Sequence, residues 1–214
     1  MINIDSLQFD TADWQLLEQN QDEIVWQNDR DAAFVTLHYF SKPPDIPCAL
    51  SNLGTLRDAY RQGVASVGGG LVHAEVIKLK QLDCVDILLK VPQEPSGMTY
   101  ISSMTFPFAQ FSYVIKIQAE EMGMTGFRDS VVAAMLMEQG EDLMNPNVEN
   151  PGGWFSDPYD PAFKGPVLRN KSDSEEYDEQ FAAHPLSRVR RILRSIKETL
   201  NPSEDLYAAK KFAI

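Results

Sequence analysis

The chain has 214 residues, of which 43% are hydrophobic and 23% are charged. A chain of this length forms one domain of comfortable size, and its composition excludes disordered and fibrous proteins. Thirty-one acidic residues against nineteen basic residues give a formal net charge of −12, which argues against bulk binding to nucleic acid or to an anionic membrane. The composition defines a class of protein and identifies no activity.

The sequence carries no recognisable targeting signal. Residues 1–5 contain no basic stretch, and no apolar run leads to a small-residue cleavage site, so we expect no signal peptide. No apolar run approaches the length of about 18 residues that a membrane-spanning helix needs. Cys48 and Cys84 form no CxxC motif, and we expect both thiols to be free and reduced. The simplest interpretation is a cytoplasmic protein without membrane insertion.

The first strong pattern is a β-hairpin, after a short strand-like spacing of apolar residues before position 10. Residues 23–27 and 33–40 are rich in β-branched and aromatic side chains, and the turn-forming residues 28–31 separate them. Three prolines between positions 43 and 47 end the second strand. Alternation divides the side chains of that strand between two faces, Phe34, Thr36, His38 and Phe40 on one and Val35, Leu37 and Tyr39 on the other.

An amphipathic helix is predicted over residues 53–67. Ser51 or Asn52 provides its N-cap, and three glycines at 68–70 end it. No Lys-Ser/Thr follows these glycines, and they come after a helix, so they do not form a phosphate-binding loop. The apolar stripe consists of Leu53, Leu56, Tyr60, Val64 and Val67. The opposite face, which we expect to be solvated, carries Arg57, Asp58, Arg61 and Gln62.

Four strands are predicted next, over residues 71–79, 84–91, 98–106 and 111–119. The connections between them are too short to contain a crossover helix, so neighbouring strands should be antiparallel. In the last strand Tyr113, Ile115 and Ile117 share one face, and the residues between them make the other face wetter.

A second helix is predicted from an N-cap at Thr125 to Gly140. Its stripe consists of Phe127, Val131, Ala134, Met135 and Glu138. We expect this helix and the first one to cover the dry side of the sheet. The order of elements predicts an α+β fold, an antiparallel β-sheet with packed helices in an α/β/α sandwich-like arrangement, followed by a long irregular loop and a C-terminal amphipathic helix.

Residues 141–171 form the irregular loop, which is acidic, interrupted by prolines and glycines, and rich in aromatic residues. Aromatic side chains at this density favour a loop that wraps the core. The predicted organisation is therefore a core domain over 1–140, a loop packed on it over 141–171, and a C-terminal helical appendage over 172–214.

The appendage contains two helical patterns. The residues Ser172–Glu175 match a capping box, which predicts the start of an acidic helix. His184-Pro185 predicts the start of a second helix. Leu186, Val189, Leu193, Ile196 and Leu200 form its apolar stripe, and five basic residues against one acidic residue occupy the rest of its surface. We expect these basic residues to pair with the protein's own acidic loop, although a basic helix of this kind could also be a detachable anchor.

The candidate catalytic residues are His73, Glu75, Asp157 and Asp160. His73 and Glu75 are two residues apart on a strand, and could be a general base with its orienting carboxylate, part of a metal site, or an ordinary structural pair. Asp157 and Asp160 flank a tyrosine and could approach a ligand, or could instead form Asx turns before prolines. No established catalytic or metal motif accompanies them, so no metal and no cofactor are predicted. The residues most suited to contact a partner are Trp154, Tyr159, Arg190, Arg191 and Arg194.

In its order of elements the stretch 23–140 resembles the Mog1/PsbP-like fold. The segments that carry the resemblance are the hairpin 24–40, the helix 53–67 with its glycine triplet, the strands through Ile117, and the helix that starts at Gly126-Phe127. The acidic loop and the basic final helix depart from the compact pattern of that fold. The resemblance implies an accessory or binding protein without catalytic residues, of which some members act on GTPases or photosystems, and it assigns no role to any residue.

We therefore expect a non-catalytic cytoplasmic adaptor of bacterial type that binds another protein. The net charge favours a basic partner, which this chain would escort or neutralise in the manner of an immunity protein, because complementary charge speeds association. The alternative is a small-ligand-binding protein or a hydrolase-type enzyme with a pocket between sheet and loop.

Overall fold

A computed structural model of the chain describes residues 2–145 and 153–213. The strands are β1 (Leu7–Gln8), β2 (Gln15–Gln19), β3 (Glu23–Asn28), β4 (Ala33–Phe40), β5 (Gly70–Leu79), β6 (Leu82–Pro92), β7 (Met98–Pro107), β8 (Ser112–Glu120) and β9 (Asn201–Pro202). The helices are α1 (Leu53–Ser66), α2 (Phe127–Glu138), α3 (Pro185–Thr199) and α4 (Glu204–Ala208).

Seven strands form one sheet in the order β2-β3-β4-β8-β7-β6-β5, and every neighbouring pair is antiparallel. The predicted α+β fold, the hairpin and the four antiparallel strands are therefore confirmed. Strand β2 is not among the predicted strands, because its polar sequence lies wholly exposed at the end of the sheet. A separate pair, β1 with β9, joins the N-terminal segment to the C-terminal one.

Helix α3 covers one face of the sheet and forms the main hydrophobic core. The predicted stripe is correct, since all five of its residues are buried there together with the inward residues of β4, β6, β7 and β8. In β8, Tyr113, Ile115 and Ile117 are fully buried, whereas the alternate residues are half-exposed, as the alternation predicts. The C-terminal segment thus supplies a wall of the core.

Helix α1 lies on the opposite face of the sheet, over β5. Leu56 packs there with Leu71, Ala74 and the outward residues of β6 in a second, smaller cluster. Asn52 is the N-cap, and Gly68, at a φ of 81°, follows the helix in the left-handed conformation that the sequence predicts. The prediction that Arg61 lies on the solvated face is wrong, because its side chain is buried beneath the loop after residue 153.

Helix α2 differs most from its prediction. It begins after Gly126, a left-handed residue, and not at an N-cap Thr125. Its buried residues are Arg128, Val132 and Leu136, one position away from the predicted stripe, and Phe127 is exposed. The helix packs with Trp154, Tyr177 and Phe181 in a third cluster. The prediction that α1 and α2 cover the dry side of the sheet is therefore wrong, because α3 covers that side and α1 lies on the opposite face.

The chain between α2 and α3 is irregular where it is described. The acidic α-helix predicted after Ser172 is absent, and two short 3-10 turns, Lys171–Asp173 and Glu175–Tyr177, take its place. Asn170 caps the first turn in a reciprocal capping box with Asp173. The part of the predicted loop over residues 146–152 lies outside the described residues.

Candidate functional site

Asp157 and Asp160 lie against Arg61 of α1. A carboxylate oxygen of Asp157 is 3.0 Å from Nη1 of Arg61, and one of Asp160 is 3.7 Å from the same nitrogen. Asp157 is buried and also accepts hydrogen bonds from the backbone N–H groups of Tyr159 and Asp160. Asp160 in turn accepts from the N–H of Ala162. Both aspartates form the predicted Asx turns, and they share the single positive charge of Arg61, which also pairs with Asp58.

Glu75 meets a second arginine of the same helix. Its carboxylate lies 2.6 Å from Nη2 of Arg57 and accepts a hydrogen bond from the hydroxyl of Tyr159 at 3.1 Å. The guanidinium of Arg57 stacks over the Tyr159 ring at 3.9 Å, and that of Arg61 stacks over Phe163 at 4.8 Å. These contacts attach residues 157–163 to α1 and to β5. We call the group the loop clasp; it consists of Arg57, Arg61, Glu75, Asp157, Tyr159, Asp160 and Phe163.

His73 takes part in a different group of residues. Its Nε2 is 3.4 Å from a carboxylate oxygen of Asp86, whose other oxygen is 2.6 Å from Nζ of Lys197 on α3. Burial raises the pKa of Asp86, but the hydrogen bond and charge of His73 and the charge of Lys197 outweigh it, so its pKa lies below the ordinary value. Among the four candidate catalytic residues, the structure brings Glu75, Asp157 and Asp160 to the loop clasp and pairs His73 with Asp86.

The predicted partner-contacting residues lie in unequal surroundings. Trp154 is half-buried in the third cluster, and Tyr159 belongs to the loop clasp. Arg190 is buried and bonded to Asp178, so it is not a surface residue. Arg191 pairs with Asp31 in the hairpin turn, whereas Arg194 is exposed. Arg190, Arg191 and Lys197 of α3 do pair within the protein, and among the described residues their carboxylate partners lie on the hairpin, on β6 and at the 3-10 turns rather than on the acidic loop.

A chain of buried ion pairs fixes the segment 170–178 between α2, α3 and the sheet. Nζ of Lys90 on β6 is 2.6 Å from the carboxylate of Asp173, and both side chains are fully buried. Arg128 of α2 bonds Asp178 at 3.1 Å and the hydroxyl of Ser187 at 2.7 Å. Charges at this depth are tolerated because each lies close to an opposite charge, and the guanidinium groups of Arg128 and Arg190 also donate to backbone oxygens of this segment.

Among the described residues, no helix packs over the part of one sheet face that β3, β4, β7 and β8 form. On β3, β4, β7 and β8, the side chains that alternate with the core residues point away from α3, while α1 packs over β5. We call this surface the open face; its half-buried or exposed side chains include Val25, Phe34, Thr36, His38, Phe40, Ile101, Val114, Lys116 and Gln118. Cross-strand pairs such as Phe34 with Gln118 and His38 with Val114 make the surface continuous.

Aromatic side chains dominate one side of the open face. Phe34 and Phe40 on β4 are 47% and 39% exposed. The ring of His38 stacks on Phe40 with centroids 5.8 Å apart, and Nδ1 of His38 is 3.4 Å from the carboxylate of Glu23. The alternation of β4 already places Phe34, His38 and Phe40 on one face of the strand, but no motif in the sequence marks them as a site. The signal available was large apolar side chains on the wetter face of a strand.

A surface cleft of about 480 Å³ lies between α2, the residues after 153 and the 3-10 turns. Trp154, Asp157, Arg169, Lys171, Glu176 and Tyr177 are among its lining residues. Within residues 2–145 and 153–213, no three or more His, Cys, Asp or Glu side chains are arranged to hold a metal ion. In the same ranges no helix has both the length and the apolar composition to cross a membrane.

No family model matches the chain, and no curated protein matches it. Solved structures that are similar include the cyanobacterial PsbP protein CyanoP of Synechocystis, at 12% identity and a TM-score of 0.37, over 62% of this chain and 82% of that one. LpqN of Mycobacterium tuberculosis, involved in cell envelope biogenesis, is similar at 12% identity and a TM-score of 0.30, over 62% and 78%.

A third similar structure, from Bacteroides thetaiotaomicron, has 10% identity and a TM-score of 0.35, over 53% of this chain. The match spans 37% of the length of that protein. The predicted resemblance to the Mog1/PsbP-like fold is confirmed to the extent that a PsbP protein is among these structures. At such identities the likeness concerns the fold, and it assigns no function.

Proposed function

We propose that this chain is a non-catalytic protein-binding protein, and that it holds a basic partner on the open face. The observation that carries the proposal is the pair of exposed phenylalanines, Phe34 and Phe40, on a continuous sheet surface in an acidic part of the chain. Before Lys42 the sequence contains eight acidic residues against one basic residue, Arg30. Aromatic anchors surrounded by polar and charged groups are typical of protein interfaces.

The state of the candidate carboxylates favours binding over catalysis. Glu75, Asp157 and Asp160 are engaged by Arg57 and Arg61, and backbone N–H groups occupy the same oxygen of Asp157. A general acid or base needs a free approach to its substrate. We propose, as the finer form of this function, a cytoplasmic adaptor that escorts or neutralises its basic partner.

The test is retention of a basic partner from native lysate by the wild-type protein and by two variants. We expect retention to weaken as salt rises, because screening reduces the attraction between opposite charges. The double change Phe34→Ala with Phe40→Ala should weaken binding about tenfold, which corresponds to about 1.4 kcal/mol. Phe127→Ala is the matched control, since Phe127 is 51% exposed on α2, outside the open face. Equal binding by all three proteins would contradict the proposal.

The alternative, a small-ligand-binding protein or a hydrolase-type enzyme, would use the cleft beside Trp154. Its volume is adequate for a small molecule, and aromatic and charged side chains line it. A compound that raises the melting temperature of the wild type and of the Phe34/Phe40 variant, but not that of Trp154→Ala, would favour this alternative.

A further inference from the structure

The two edge strands of the seven-stranded sheet, β5 and β2, differ in whether other groups bond to their outer backbone atoms. At the β5 edge the hydroxyl of Tyr159 accepts from the N–H of Ala74 at 2.7 Å and lies 3.1 Å from the carbonyl oxygen of the same residue. Nε of Arg57 donates to that oxygen at 3.1 Å. Side chains of the loop clasp thus occupy backbone groups at which another strand would pair, which is one way in which proteins protect an edge.

The β2 edge has no such cover in the described part of the chain. Strand β2 pairs with β3 on one side, and among the described residues no strand and no side-chain hydrogen bond occupies the other side. All five residues of β2 are exposed, and the two leucines, Leu16 and Leu17, are 51% and 45% exposed. Unpaired backbone groups beside exposed leucines are what an added strand requires.

We propose that β2 binds an extended, positively charged segment of the partner by strand pairing, which would continue the sheet beyond its open edge. This inference rests on the protein-binding function proposed above and specifies how the partner is held. Backbone hydrogen bonds would give affinity without reading sequence, while Leu16 and Leu17 would contact apolar side chains of the added strand.

The charge around β2 identifies the occupant. Asp10, Asp13, Glu18 and Asp22 are exposed, and none of them is in an ion pair among the described residues. A second copy of this chain would bring the same exposed acidic residues close to their counterparts, and this repulsion disfavours association through β2. The bulge between Leu16 and Glu18 interrupts the alternation of β2, so any added strand pairs with the residues on either side of it. A basic segment would be attracted instead of repelled, because its lysine or arginine side chains would approach these carboxylates, which have no ion-pair partner among the described residues.

The experiment uses the full chain and a short synthetic peptide of alternating lysine and valine. Hydrogen exchange, followed residue by residue, should slow at those amides within 15–19 that point away from β3 when the peptide is added, since the added strand bonds them. The control is the same peptide methylated at two adjacent central backbone nitrogens, one on each edge of the strand. It keeps the charge and side chains but loses donors, so we expect about a tenfold loss of affinity.

Two charge reversals complete the design. Glu18→Lys should weaken peptide binding about fivefold, whereas Glu179→Lys, an exposed acid near α3, should leave it unchanged. The proposal is overturned if both peptides bind equally, if protection appears away from 15–19, or if β2 instead pairs with a second copy at high concentration. Trp14 and Trp26, which pack together beside β2, report by fluorescence that each variant is folded.

The outcome is separable from that of the proposed function. If the basic partner is retained through Phe34 and Phe40 while residues 15–19 stay unprotected, the protein-binding function stands and the strand-pairing mode is wrong. If no salt-dependent partner is retained, the proposed function fails whatever the peptide does.

Discussion

Arg57 and Arg61 lie one turn apart on α1, and each combines an ion pair with stacking on an aromatic ring of the loop. Neither role is visible in the sequence, where both arginines fall on the polar side of an amphipathic helix. Their partners are separated from them by up to about a hundred positions, so only the folded chain brings them together. A guanidinium suits this task because its plane stacks while its edge donates.

Replacement of Arg61 by methionine (Arg61→Met) tests the ion pair with Asp157. The change leaves the carboxylate of Asp157, which is 4% exposed, without its cation, so we expect the free energy of unfolding to fall by about 3 kcal/mol. Urea unfolding measures it. Asp58→Asn removes the exposed partner of the same arginine and should cost no more than about 0.5 kcal/mol. Similar losses in the two variants would show that the burial of Asp157 does not matter.

Helix α3 shows how far hydrophobic periodicity predicts an element. Its stripe, its start at Pro185 and its end before Asn201 follow from the sequence. The position of α3 in the fold does not follow from the sequence. An apolar stripe indicates that one face of a helix is buried, but it does not indicate which part of the protein buries it. Helix α2 shows the converse failure. Its buried face contains Arg128, which a hydrophobicity pattern assigns to solvent, and which is buried because Asp178 and Ser187 lie beside it.

Removal of residues 185–214 distinguishes a structural α3 from a detachable anchor. We expect the shortened chain to lose cooperative unfolding, because α3 supplies five buried apolar residues to the main core, Leu200 and Leu206 after it supply two more, and their loss exposes one face of the sheet. Circular dichroism during heating provides the measurement. A shortened chain that still melts in one sharp transition would mean that α3 is an anchor after all.

Glu121 joins three parts of the molecule. Its carboxylate accepts hydrogen bonds from the N–H groups of Met98 at the start of β7 and Gly126 before α2, and it lies 3.3 Å from Nε2 of His184 at the N-cap of α3. Burial raises the pKa of Glu121, but the hydrogen bonds from His184, Gly126 and Met98 outweigh it, so its pKa lies below the ordinary 4.5.

The stability of the whole protein should therefore depend on this group in acid. A carboxyl group with a lowered pKa in the folded state stabilises that state above its unfolded pKa, and the stabilisation is lost as pH falls from about 4.5 through the folded pKa. Glu121→Gln should lower stability by about 1 kcal/mol at pH 7 and make the decline below pH 4.5 shallower. Urea midpoints across this range test it, with the exposed Glu120→Gln as control. An unchanged slope in Glu121→Gln would contradict the assignment.

The sequence alone determined strands β3 to β8, the antiparallel arrangement of neighbours joined by short connections, the caps of α1 and the amphipathic stripe of α3, because these depend on residues close together in the chain. The wetter face of β8 was predicted for the same reason. Tertiary structure decided which helix covers which face, why Arg61 of α1 and Arg128 of α2 are buried, and, among the described residues, that the β5 edge is covered while the β2 edge is not. Those features depend on contacts between residues that are far apart in the sequence. A local sequence pattern cannot predict such contacts, because they form only when the chain folds.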